Sequence, residues 1–159
     1  MCDRVGVDTN IWEYAYVEET DVADADVLHS EARRFLEALL ADTNRAIVLS
    51  QYQVIEILDV LRKAGASSRI RDALYDLFAT AKCQVVPHEY PLIGEALTMS
   101  QASGIHIYDY IVALPLRGLV GTFYTADRHF DHPHFRAMFN VVNPLSWVMR
   151  EGQRPMRKR

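Results

Sequence analysis

Short apolar runs alternate along the chain with longer segments in which apolar residues recur every three or four positions. The short runs are rich in β-branched residues and end near polar residues or prolines, which is typical of buried strands. They occupy residues 4–8, 46–49, 83–86, 120–125 and 141–142. The longer segments have helical spacing over residues 27–40, 51–63, 68–81, 89–103 and 108–116. This alternation predicts an α/β fold around a mostly parallel sheet of four to five strands.

Residues with strong local preferences mark several helix ends. Ser50 is a good N-cap for the helix after the second strand, and Gly65 and Gly104 stand where helices commonly end. Pro115 must bend or finish the helix that begins near residue 108, because proline cannot donate to the carbonyl four residues back. Residues 13–26 are acidic with few large aliphatic side chains, so we expect an exposed loop or a helical excursion there.

Length and composition bound the class of protein. The 159 residues are 50% hydrophobic and 24% charged, which excludes a disordered or fibrous chain and predicts one domain. We expect this domain to span residues 1–150 and a basic, flexible tail to span residues 151–159. The formal net charge is -4, so binding of a nucleic acid needs a local positive patch or bound cations.

Three features predict a cytoplasmic location. The two cysteines, Cys2 and Cys83, are too few for a disulfide framework. No apolar run approaches the ~20 residues that cross a membrane. The first residues also lack the pattern of a signal peptide. We therefore expect a cytoplasmic protein with no membrane partner.

Two carboxylates follow predicted strands. Asp8 ends the first strand, and Asp127 follows the fourth. In open α/β sheets the functional crevice lies beyond the carboxyl ends of the strands. Each residue taken singly is more often a turn or N-cap aspartate, whereas the pair at one sheet edge favours a functional site.

Asp109 is the only carboxylate between residues 105 and 116, in a segment that is apolar nearly all round. Such a helix is buried, and an unpaired carboxylate there costs several kcal/mol unless it is neutralised, hydrogen-bonded or bound to a metal. The alternative is a capping role, since Asp109 lies near the start of the predicted helix.

Periodicity alone gives Glu56 no functional role. It falls on the narrow polar strip of its helix with Tyr52, Asp59 and Lys63, which predicts a solvated face.

A histidine-rich segment surrounds Asp127. His129, His132 and His134 lie beside Asp127 and Asp131, and these residue types could ligate Zn²⁺ or Mn²⁺. Their spacing matches no standard structural-zinc pattern, so a solvated, loop-borne group is the favoured interpretation.

Taken in order, these residues resemble a known family. Asp8-Thr9-Asn10 follows a strand, Glu56 lies in the helix after the second strand, Asp109 opens an apolar helix, and Thr125-Ala126-Asp127 follows another strand. This set resembles PIN-domain proteins, the fold of the VapC-type toxins of toxin–antitoxin pairs. The resemblance covers residues 4–150 and implies a PIN-like three-layer α/β/α sandwich and a metal-dependent ribonuclease.

The resemblance also implies roles for individual residues. The acidic cluster, with catalytic and metal-binding roles, would be Asp8, Glu56, Asp109 and Asp127. The supporting residues would be Thr9, Asn10, Thr125 and Asp131. The cofactor would be one or two Mg²⁺ or Mn²⁺ ions, which prefer such oxygen ligands and offset the mutual repulsion of the carboxylates.

The implied partners are an RNA substrate, a small antitoxin protein and a second copy of the chain in a homodimer. Basic residues that could contact RNA phosphates are Arg128, Arg154, Arg157, Lys158 and Arg159.

Two other functions stay open: a PIN nuclease of RNA maturation or decay, and a catalytically silent PIN-like binding module. A haloacid-dehalogenase-type phosphatase is disfavoured because Asn10 stands where its second aspartate is required. A receiver domain is disfavoured because no early acidic pair is present.

Overall fold

A parallel sheet forms the centre of the molecule. The computed structural model describes residues 2–17, 25–148 and 156–157. Within them, five parallel strands pair in the order β3-β2-β1-β4-β5. The strands are β1 (Asp3–Val7), β2 (Arg45–Ser50), β3 (Cys83–Val86), β4 (Thr122–Tyr124) and β5 (Asn140–Val142). From β1 the chain builds β2 and β3 on one side, and it then crosses over to build β4 and β5 on the other side of β1. The switch point of the topology therefore lies between β1 and β4.

Helices connect these strands in sequence. They are α1 (Thr9–Tyr16), α2 (Ala25–Ala41), α3 (Gln51–Lys63), α4 (Ser68–Phe78), α5 (Tyr90–Ser103), α6 (Ile107–Ala113) and α7 (Pro133–Arg136). Two short 3-10 helices, Leu114–Leu116 and Arg128–Asp131, follow α6 and β4 respectively. No helix among the described residues has both the length and the apolar character needed to cross a membrane.

The sheet separates two hydrophobic clusters. Alternate residues of β1 and β2, such as Val5 and Ile47, pack with α1, α2, α3 and α4 on one face. Val48 and Phe123 face the other cluster, which α5, α6 and α7 complete. Gly6 leaves room for the Phe123 ring, because a Cβ at this position would lie 2.5 Å from Phe123 Cδ2. The two clusters give the expected three layers.

The first helix corrects one sequence-based expectation. Residues 13–26 are expected to form an exposed loop or a helical excursion, and α1 does run to Tyr16, but Tyr14 within this range is only 2% exposed. Trp12 packs edge-on against Phe78 of α4, with ring centroids 5.2 Å apart. Acidic residues dominate the sequence of this segment, but the large side chain of Tyr14 packs into the core. Residues 18–24 lie outside the described part of the chain.

The other elements agree with the sequence pattern to within a few residues. The strand predicted at 120–125 is shorter, and the helix predicted from 108 ends as α6 and a 3-10 turn that contains Pro115. Near the C-terminus, Trp147–Val148 pairs antiparallel with Met156–Arg157. The rest of the predicted basic tail lies outside the described residues, and its flexibility stays a prediction.

Candidate active site

Asp8 joins the ends of the two central strands. It follows β1 and caps α1, with Oδ1 accepting from the Thr9 backbone N–H at 2.8 Å. Its Oδ2 accepts from the Thr125 hydroxyl at 2.7 Å and from Asn10 Nδ2 at 3.0 Å. Thr125 follows β4, and Asp8 is only 7% exposed. The carboxylate is therefore fixed at the switch point by groups from both strands.

Glu56 faces this same point. Its Oε2 accepts from the Thr9 hydroxyl at 2.5 Å. One turn earlier in α3, Gln53 Nε2 donates to the Val7 carbonyl at 2.5 Å and holds the helix against the end of β1. Gln53 of α3 thus contacts the end of β1, and Glu56 contacts the first residue of α1. The solvated position that periodicity predicted for Glu56 is wrong. Periodicity identifies the apolar face of a helix, but it cannot show that polar groups of another element lie against the opposite face.

Asp127 continues the network from β4. The Thr125 hydroxyl accepts from the Asp127 backbone N–H at 3.0 Å, while it donates to Asp8. Asp127 Oδ1 in turn accepts from the His129 backbone N–H at 2.9 Å and caps the second 3-10 helix. Its side chain is 17% exposed. Asp127 is therefore both a capping residue and a member of the cluster at the sheet edge.

Asp109 reaches the cluster from α6. The capping role considered for it belongs instead to His106, whose side chain accepts from the Tyr108 backbone N–H. Asp109 Oδ2 lies 3.3 Å from Nδ1 of the His129 ring. Ligand atoms of Asp109, Asp127 and His129 all lie within 4.8 Å of one another. These three residues come from two separate elements and meet beside Asp8.

The electrostatics of the site show a deficit of positive charge. Burial raises the pKa of Asp8 well above its usual range, and the hydrogen bond from Thr125 offsets part of the effect. The negative charges of Glu56, Asp109 and Asp127 raise this pKa further, which places each of the three within electrostatic reach of Asp8. Burial also raises the pKa of Glu56, and the Thr9 hydroxyl opposes that shift.

An aromatic stack lies next to the carboxylates. The rings of Tyr52 and Tyr108 are nearly parallel with centroids 5.5 Å apart, and His106 stacks on Tyr108 at 4.8 Å. Burial raises the pKa of Tyr52, and the charges of Glu56 and Asp109 add to the shift. Tyr108 is 48% exposed. The sequence pattern assigned these rings no role, and the signal that could have found them is the tyrosine directly before Asp109.

Other candidate residues lie apart from the cluster. Asp131 forms a surface ion pair with Arg136 at 2.8 Å. Arg128 is exposed on the turn after Asp127. Among the tail residues proposed to contact RNA, Arg157 pairs through its backbone with Trp147. Arg154, Lys158 and Arg159 lie outside the described residues.

The three histidines are less exposed than the sequence pattern suggested, and each has a hydrogen-bond partner. His132 caps α7 by accepting from the His134 backbone N–H at 3.2 Å. His134 Nδ1 lies 2.8 Å from the hydroxyl of the buried Tyr110. The interpretation of all three as a solvated group is wrong, because each is half-buried and hydrogen-bonded. Only local geometry, which short sequence motifs do not encode, separates their roles.

The charge deficit predicts how stability depends on pH. In EDTA, folded Asp8 and Glu56 bind protons more tightly than in the unfolded chain, because their folded pKa values are raised. The stabilising protons are present below about pH 4 and are lost as the pH rises through the raised values, so the free energy of unfolding falls over that range.

Glu56→Gln removes one of these charges and keeps an acceptor for Thr9. We expect its melting temperature in EDTA at pH 7 to rise by about 2–4 °C, with a shallower pH dependence, in thermal unfolding followed by circular dichroism. Glu95→Gln is the matched control, since Arg117 lowers the pKa of Glu95 and its replacement should stabilise nothing. A Glu56→Gln protein that melts below wild type would contradict the proposed repulsion between Glu56 and Asp8.

Comparison with known proteins supports the fold. No protein-family model matches the chain, and no curated protein matches its sequence significantly. Among solved structures, the sarcin–ricin loop cleaving toxin VapC20 of Mycobacterium tuberculosis aligns with a TM-score of 0.61 and 16% identity, over 80% of this chain and 92% of its own.

Two toxin–antitoxin complexes align over a greater share of the chain. VapBC2 of Rickettsia felis, bound to a DNA fragment from its promoter, gives a TM-score of 0.57 and 18% identity, over 87% of this chain and 98% of its own. A toxin–antitoxin complex from Klebsiella pneumoniae gives a TM-score of 0.53 and 21% identity, over 89% of this chain and 98% of its own. The sheet order and these alignments confirm the α/β, PIN-like architecture. The chain has the fold of the VapC toxins.

Proposed function

We propose that this protein is a divalent-metal-dependent endoribonuclease, the toxin of a type II toxin–antitoxin pair. The observation that carries the proposal is the convergence of four carboxylates at one switch point from distant parts of the chain. They are Asp8, Glu56, Asp109 and Asp127. Carboxylates placed together in this way destabilise the folded chain unless they serve a ligand.

The donor set fits a hard divalent cation. Mg²⁺ and Mn²⁺ bind carboxylate oxygens, and the pKa of Asp8 is raised by burial first and then by the negative charges of the three other carboxylates. Asp8, Asp109 and Asp127 would hold one ion, and Glu56 would complete that site or help to hold a second. When bound, such an ion lowers the pKa of water and neutralises charge on phosphate oxygens.

The chain's own residues orient this chemistry. Thr125 fixes Asp8, and Thr9 fixes Glu56, so the ligands need little rearrangement. Hydrolysis adds a water oxygen to phosphorus as the bond to the leaving ribose oxygen breaks, and that oxygen is protonated. Burial raises the pKa of Glu56, which suits it to accept the proton that the attacking water loses.

The aromatic stack supports RNA with unpaired bases as the substrate. Single-stranded RNA is commonly bound by stacking its bases on exposed aromatic rings. The stack formed by Tyr52, Tyr108 and His106 adjoins Asp109, so a base resting there places its phosphate near the carboxylates. Arg128 and the basic tail would add phosphate contacts.

The toxin assignment rests on the neighbours rather than on the site. Two of the similar structures are toxin–antitoxin complexes, and a third is a toxin that cleaves RNA at the sarcin–ricin loop. From the two complexes we extend to this chain a small antitoxin partner, and the family resemblance adds a homodimer and a cytoplasmic location to the proposal. A nuclease of RNA maturation or decay would share the site, and a silent binding module would keep the fold without cleavage.

Cleavage assays test the catalytic proposal. Purified protein should cut structured RNA in Mn²⁺ or Mg²⁺ and lose that activity in EDTA. Asp109→Asn should reduce the rate by about 100-fold or more, because it removes one negative ligand and its charge. Asp131→Asn is the matched control, since Asp131 only pairs with Arg136 at the surface. Cleavage that persists in EDTA, or at full rate in Asp109→Asn, would exclude this mechanism.

Tyr108→Ala should weaken RNA binding and leave chemistry intact. Loss of one base–aromatic stack, worth about 1–3 kcal/mol, should raise KM by about 5- to 150-fold with kcat nearly unchanged. Tyr108→Phe should retain the wild-type KM because it keeps the ring. Tyr75→Ala removes a more exposed ring on α4 and serves as the control. An unchanged KM in Tyr108→Ala would remove the stack from the substrate site.

A further inference from the structure

His129 is the histidine of its segment that faces the carboxylates. The Asp127 cap folds the chain back through the second 3-10 helix, and this turn brings the ring over the cluster. Nδ1 lies 3.3 Å from Asp109 Oδ2 and 3.9 Å from Asp127 Oδ1. The side chain is 29% exposed. His132 and His134, by contrast, use Nδ1 to cap α7 and to contact Tyr110.

These distances suit ligands of one ion. With metal–ligand bonds of about 2.1 Å, two ligands lie about 3.0 Å apart at a right angle and about 4.2 Å apart when opposite. Both nitrogen–oxygen distances fall between these limits. The three ligand atoms lie within 4.8 Å of one another, so a small shift of side chains would bring them around a common centre.

We propose that His129 is an imidazole ligand of the active-site metal and makes the site prefer Mn²⁺, Co²⁺ or Zn²⁺ to Mg²⁺. This inference rests on the proposed metal-dependent function and adds a nitrogen donor to its all-carboxylate ligand set. Imidazole suits borderline ions such as Co²⁺ and Zn²⁺, and Mn²⁺ accepts it more readily than Mg²⁺, which prefers oxygen ligands and keeps several waters. The ion that supports cleavage best is then set by one residue on the turn after Asp127.

A positioning role is the competing explanation. His129 Nδ1 could carry the proton and donate to Asp109, which would orient that carboxylate as outer-shell partners commonly do. In this case the metal would contact only oxygen. The two roles differ in a spectroscopic property, because a coordinated imidazole nitrogen couples magnetically to bound Mn²⁺ and a hydrogen-bonding one does so only weakly.

The test uses Mn²⁺ bound to the full-length protein without RNA. Pulsed electron paramagnetic resonance should detect nitrogen hyperfine coupling in wild type, and His129→Asn should abolish it. His132→Asn, which alters a neighbouring imidazole outside the cluster, should retain it. Calorimetric titration should show that His129→Asn lowers Mn²⁺ affinity by about tenfold or more and Mg²⁺ affinity by much less.

The outcomes distinguish the assignment of His129 as a ligand from the proposed metal-dependent nuclease function. Mn²⁺ bound by wild type without nitrogen coupling, or coupling that persists in His129→Asn, would overturn the ligand assignment and leave the metal-dependent nuclease standing. Equal losses of Mn²⁺ and Mg²⁺ affinity would overturn the selectivity. A wild-type protein that binds neither ion at millimolar concentration would overturn the proposed metal site as well.

Discussion

The hydrogen bond from the Thr125 hydroxyl to Asp8 is the contact on which the arrangement of the site depends. The distance from Thr125 Oγ1 to Asp8 Oδ2 is 2.7 Å, and the bond joins the ends of β1 and β4 at the point where the sheet topology reverses. The same hydroxyl accepts from the Asp127 backbone and so fixes the turn that carries His129. One buried threonine therefore sets the positions of groups from both strands.

That arrangement concentrates negative charge. Asp8 is nearly buried and lies within electrostatic reach of Glu56, Asp109 and Asp127, and burial dominates the rise in its pKa. A folded chain tolerates such a cluster at a cost in stability, because proton uptake or bound cations must supply the missing charge. Functional sites commonly carry a cost in stability of this kind.

The sequence predicted the frame of the fold well. Strands and most helices follow hydrophobic periodicity, because burial on a sheet face imposes a period of two and burial on a helix imposes one near 3.6. The expected exposure failed at Tyr14, which α1 buries although acidic residues dominate the segment that contains it. It also misjudged α3, where Ile55 is 66% exposed and Glu56 faces the site.

Asp8 and Asp127 were expected at one sheet edge because they follow strands, whereas Glu56 entered the predicted site only through the family resemblance. The capping role of His106, the approach of His129 to Asp109 and the stacked tyrosines were not found. Each depends on how a turn directs one side chain across space, and a single sequence carries no pattern for such contacts. Tertiary geometry was therefore needed to distinguish His129 from His132 and His134.

Anomalous diffraction from crystals soaked in Mn²⁺ tests the central claim most directly, since it locates the ion without relying on activity. We expect a peak within about 2.5 Å of carboxylate oxygens of Asp8, Asp109 and Asp127, and a weaker peak in Thr125→Val, which lacks the hydroxyl that donates to Asp8. A strong Mn²⁺ peak elsewhere in the protein, with none at the switch point, would contradict it.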